Sequence, residues 1–122
     1  MAKPRDPLGR LREIIAAWPE TDERFSHGSP TWWGGKKTFA SFHDNHHGDG
    51  RVAVWLKSSF EMQSDLVENN PDAFFVPPYV GPSGWVGIRL DREVDWAMVT
   101  ALLEAGYRMV APKRAIELLD EG

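Results

Sequence analysis

Apolar residues first recur at helical spacing. Leu8, Leu11, Ile14, Ile15 and Trp18 share one side of a predicted helix, with Asp6 as N-cap, Pro7 at the first position and Pro19 as the stop. A stretch rich in turn formers follows. Phe25 falls on a short predicted strand, His27 to Pro30 on a turn, and Trp32 and Trp33 precede a second turn at Gly34-Gly35. Lys37 to His43 reads as a strand, HDNHHGDG as a mobile polar hairpin tip, and Arg51 to Lys57 as the returning strand. In that strand Val52, Val54 and Leu56 face one way, and Ala53, Trp55 and Lys57 the other. Ser58 and Glu61 have capping-box spacing, which predicts a helix starting near Ser59, with Met62, Leu66 and Val67 inward and Asn69-Asn70-Pro71 as its end.

The run FFVPPYVGPSGWVGIR, residues 74–89, changes character midway. Pro77 and Pro78 hold the backbone in a stiff, aromatic-lined crossing that is neither helix nor central strand. After the turn at Pro82-Ser83-Gly84, a strand from Trp85 to Leu90 sends Val86, Ile88 and Leu90 to one side. Trp85, Gly87 and Arg89 take the other: an indole, a gap and a guanidinium. Asp91 or Asp95 caps a third predicted helix with Trp96, Val99, Leu102 and Leu103 as its buried stripe. Gly106 is its expected stop, with a kinked continuation to Val110 as the alternative. Pro112 suits the first turn of a last helix bearing Ile116 and Leu119. This order predicts an α+β fold, one antiparallel sheet with helices packed on one face, formed as a single domain over residues 1–122.

Composition narrows the class. A hydrophobic fraction of 42% beside 26% charged residues is globular rather than disordered. The chain has no cysteine, which excludes a disulfide scaffold or thiolate metal site. No apolar run reaches membrane-spanning length, and MAKPRDPLGR lacks the apolar core of a signal peptide, so a cytoplasmic protein without membrane contact is expected. The net charge of −4 means that any nucleic-acid-binding patch must be local.

Candidate chemistry lies on the sheet face away from the helices. If the two strands share a sheet, Trp55, Lys57, Trp85 and Arg89 lie together there, with Trp32, Trp33 and Tyr79 at the rim. Rings beside cations suit base stacking or an anionic ligand. Two other readings stand: loops fold over these rings as a second small core, or the face serves self-association. Arg108, Lys113 and Arg114 cluster where the last helix begins and its backbone N–H groups attract anions; with Lys36 and Lys37 they are candidate phosphate contacts. His43, His46 and His47 are weak candidates for a metal, because their spacing on strand-like flanks does not bring them to one face. No nucleophile elbow, P-loop or dinucleotide fingerprint is present, so no catalytic residue, and no cofactor, is assigned and the enzyme case is weak.

Several runs together resemble the MmcQ/YjbR family: GSPTW and GKKTFA between Gly28 and Ala40, VWLKSS, FFVPPYVGPSGWVGIRLD, and the tail YRMVAPK. The matching residues are Gly28, Pro30, Lys37, Phe39, Lys57, Pro78, Tyr79, Trp85, Tyr107 and Lys113. The resemblance covers most of the chain. It implies a compact α+β fold with an antiparallel sheet, similar to type III secretion chaperones. It also implies the family's frequent label of DNA-binding protein, tied to a double-wing arrangement, and it carries no agreed catalytic residues. The histidine-rich hairpin and the acidic balance depart from that pattern. Three functions follow as expectations: DNA or nucleotide binding through the aromatic and basic face, interaction with a protein partner or a second copy, or a small-ligand pocket between the proline stretch and Trp55.

Overall fold

The computed structural model describes residues 6–122. Asp6 opens the first helix, α1 (Pro7–Ala16), by accepting a 2.7 Å hydrogen bond from the Gly9 N–H, one of the first-turn donors that have no partner within the helix. Three strands follow as a meander: β1 (Thr21–Ser26), β2 (Ser29–Gly34) and β3 (Lys37–Asp44). The β1–β2 turn is two residues, His27 and Gly28, both at positive φ, the conformation whose twist matches that of paired strands. A register shift between Trp32 and Trp33 interrupts the β2–β3 pairing.

β4 (Val52–Leu56) lies beside β3, and α2 (Phe60–Asn69) leaves its end. Ser59, not Ser58, is its cap, with the Ser59 hydroxyl accepting from Met62 N–H at 3.1 Å. Phe74–Phe75 then forms a two-residue strand, β5, paired with β6 (Val86–Arg89). The described residues give one antiparallel sheet in the order β1-β2-β3-β4-β6-β5. Its last helices are α3 (Trp96–Val110), capped by Asp95, and α4 (Lys113–Glu121), capped by Pro112.

Gly106 does not stop α3. The helix runs through it because a Cβ there would sit 2.7 Å from the Lys57 carbonyl oxygen: the residue is small to let helix and sheet backbone approach, not to end a turn.

All four helices among the described residues contribute to a core on one face of the sheet. It holds Leu11, Ile15, Val54, Leu56, Val86, Ile88, Val99 and Leu103, each at most 1% exposed. Inside it Trp18, Phe39 and Tyr107 form a ring cluster with centroids 5.3–6.3 Å apart, and the Tyr107 hydroxyl donates to the Pro19 carbonyl. Trp32 belongs to this core at 2% exposure, which corrects its assignment to the rim of a binding face. β2 pairs Trp32 with Ala40, a residue of the helix-covered face.

The opposite face is not open. Ala53, Trp55, Phe75 and Trp85 form a second small core, with Trp55 4% and Trp85 7% exposed. The gap expected at Gly87 is filled by the Phe75 ring, which a Cβ on Gly87 would meet at 2.4 Å. The two phenylalanines of Phe74–Phe75 split between the cores, as alternation in a strand requires. Loop closure over the rings is thus the arrangement found.

Candidate ligand-binding hollow

Beyond the small core the same face sinks into a hollow of about 990 Å³. Alternation along β2 and β3 brings Ser29, Thr31, Ser41 and His43 to its floor beside Trp55, since Ser41 lies opposite both Thr31 and Trp55. The loop that carries His46 and His47 forms one wall; Tyr79, Val80 and Trp85, on the stretch after the paired prolines, form another. The walls meet where the Tyr79 hydroxyl and His47 Nε2 lie 3.2 Å apart. His27, His47 and Tyr79 all hold left-handed φ values between 49° and 66°, a conformation costing non-glycine residues about 1 kcal/mol or more each. Three such residues border one hollow.

His43 sits at its floor. Ser29 Oγ lies 3.2 Å from its Nδ1 and Ser41 Oγ 2.8 Å from its Nε2, so both ring nitrogens are occupied. The imidazole stacks on Trp55 with centroids 3.5 Å apart and planes 19° from parallel. Burial, reinforced by neighbouring His46 and opposed by Asp49, lowers its pKa from 6.5 to about 4. A hydroxyl beside an imidazole suggests a nucleophile and its base, but a base this weak is poorly matched to neutral pH. The bonding is that of a satisfied, neutral histidine holding the floor in place.

His43 and His46 are therefore not part of a polar tip reaching into solvent, although His47 is exposed. His46 packs edge-on against Trp55 at 4.9 Å and against His43 at 5.2 Å, and contacts both His47 and Tyr79. No three histidine or acidic side chains among the described residues are arranged to hold a metal ion. Two side-chain atoms are buried without a hydrogen-bond partner among the described residues: His46 Nε2 and Trp55 Nε1. Both residues line the hollow.

A second, shallower hollow of about 420 Å³ adjoins the first, with Thr38 and Trp85 lining both. Lys36, Lys37 and Lys57 surround it together with Trp33, over whose ring the Arg24 guanidinium lies at 4.1 Å. Acidic side chains within ion-pair distance of these three lysines are absent among the described residues. The arginines of the sequence reading fare differently. Arg89 is held by both oxygens of Asp91 at 3.0 and 2.7 Å, Arg108 by Glu104 and Asp120, and Arg114 by Glu20. Each guanidinium has its pKa raised, chiefly by its hydrogen-bonded carboxylate. Lys113 lies 4.0 Å from Glu117, one turn along α4. The cluster expected at the start of α4 is therefore neutralised, and Arg89 with it, while Lys36, Lys37 and Lys57 keep their charge available.

Sequence reasoning missed the Ser29 and Ser41 partners of His43. The signal was present: Ser41-x-His43 places both side chains on one face of a strand. Phe75 was missed because only pairing with β6 brings its ring over Gly87, although a glycine within a strand marks a close approach.

Together these observations define an α+β domain with an antiparallel sheet, helices on one face and a ligand-sized hollow on the other. The chain belongs to the YjbR family, whose model matches residues 16–109. The structure is similar to the crystal structure of Deinococcus radiodurans protein DR2400, described as a DUF419 domain. The TM-score is 0.74 at 19% identity, over 98% of this chain and 92% of that one. No curated protein matches the sequence. No helix among the described residues is long and apolar enough to cross a membrane.

Proposed function

We propose that the protein binds, without transforming it, a small ligand in which a planar ring is joined to an anionic group, a nucleotide being the class that fits. The observation that carries this reading is that the two hollows share Thr38 and Trp85 in their lining. A ring seated beside Trp55 and His43 would place an attached phosphate across Thr38 and Trp85, near Lys36, Lys37 and Lys57. Aromatic and imidazole walls suit stacking, and ammonium groups attract phosphate most strongly where no carboxylate competes. The full chain titrated with a nucleoside monophosphate at low salt is expected to show tryptophan quenching and measurable heat. Both weaken with added salt and with the triple substitution Lys36→Gln, Lys37→Gln, Lys57→Gln. Unchanged emission and no heat at low salt would reject the proposal.

Duplex DNA is the weaker ligand on this reading. Trp55 and Trp85 are covered, three arginines are already paired, and the net charge is −4. Docking of a protein partner or a second copy has less behind it still. The outer strand β1 exposes Phe25, but its Asp22, Glu23 and Arg24 discourage pairing with another strand.

A further inference from the structure

The hollow contains hydrogen-bonding capacity that the fold itself does not use. Trp55 is 4% exposed, and its indole N–H, which can only donate, is without an acceptor among the described residues. His46 Nε2 is the other buried polar atom in that condition, and the two rings are in contact at 4.9 Å. The neighbouring histidines cannot supply the missing partners. His43 has a serine hydroxyl at each ring nitrogen, and His47 Nε2 faces the Tyr79 hydroxyl. Buried polar groups are nearly always paired, so two unpaired ones side by side in a ligand-sized hollow point to a partner from outside the chain.

Resting on the ring-plus-anion reading above, we infer that Trp55 and His46 recognise the ring by its edge. A ring acceptor takes the hydrogen bond from Trp55 Nε1–H, and an adjacent N–H donates to His46 Nε2 in its unprotonated form. That pattern belongs to a nucleobase edge and not to a carbocyclic aryl group, so these two residues determine which planar anions are accepted. Both atoms are shut off from solvent. The ring reaches them by displacing the His46 side chain, which is only partly buried and sits on a surface loop, while Trp55 is fixed within β4.

The test compares guanosine and adenosine monophosphates with 1-naphthyl phosphate, titrated calorimetrically into the full chain. The mononucleotides are expected to bind at least about 10-fold more tightly, because a site built for hydrogen bonds rejects a ligand that lacks them. Trp55→Phe removes the donor and should erase that preference. His46→Leu, on the loop and away from the strand core, is expected to do the same and covers the case in which Trp55→Phe disturbs folding. Equal affinity for both kinds of ligand, or a preference unaltered by His46→Leu, overturns this inference and leaves the ring-plus-anion reading standing. Binding of neither overturns both.

Discussion

The two faces of the sheet are both buried, yet they are built from different chemistry. Under the helices the side chains are almost all aliphatic or aromatic and close on one another, with the Tyr107 hydroxyl taken up by the Pro19 carbonyl. On the far side four apolar residues, Ala53, Trp55, Phe75 and Trp85, close only part of the surface. The remainder is floored by hydroxyls and an imidazole and left hollow. Apolar burial without directional bonds tolerates little beyond tight packing and serves stability. A half-closed face with placed polar atoms gives up some of that stability and gains a recognition surface. The same strands supply both, because alternation assigns neighbouring residues to opposite sides.

The largest effect should come from the helix face. Leu103→Ala removes a fully buried side chain and is expected to cost about 2–5 kcal/mol in urea unfolding; a cost below that of changes on the hollow side would reverse the assignment of the main core.

The next is a pH effect that belongs to the hollow alone. Folding holds His43 neutral, so below its free value of 6.5 the unfolded chain takes up a proton that the folded chain refuses. Its contribution is fully present above that value, declines as pH falls, and is gone near the folded value of about 4. The loss is on the order of 3 kcal/mol at most. Unfolding midpoints measured between neutral and acid pH should fall more steeply in the native chain than in His43→Gln, and parallel curves would show that His43 titrates normally.

Gly87→Ala probes the seam between closed and open parts of that face. Its Cβ would collide with the Phe75 ring, so a loss of about 1–3 kcal/mol is expected. Pairing it with Phe75→Leu should recover part of the loss in a double-mutant cycle; strict additivity would mean that the ring is not what the methyl meets.

Smallest of all is Asp120→Asn. It removes one partner of Arg108 at an exposed site where solvent screens the charges, and the thermal midpoint should stay within measurement error.

How much of this was legible beforehand varies by region. α1 with its Asp6 cap, the aliphatic faces of β4 and β6, and the order of elements follow from periodicity and capping residues, which act over a few positions. The candidate site was legible only as a set of residue types. Trp55 and Trp85 were assigned to the correct face, but exposure on that face depended on whether the proline stretch folded back over it. Trp32 went to the wrong face because its neighbour Trp33 has the same side chain, and only pairing with β3 fixes which indole turns inward.

The sequence by itself determined the α+β class, the antiparallel strands and the two-sided character of the sheet, since each rests on local backbone preference and on a period of two or 3.6 residues. Tertiary structure decided which charges remained free and where a hollow was left. Arg114 met Glu20 across the fold and Arg108 met Asp120 on the next helix, while Lys36, Lys37 and Lys57 met no carboxylate among the described residues. Such pairings join residues far apart in the chain, and no local pattern encodes them.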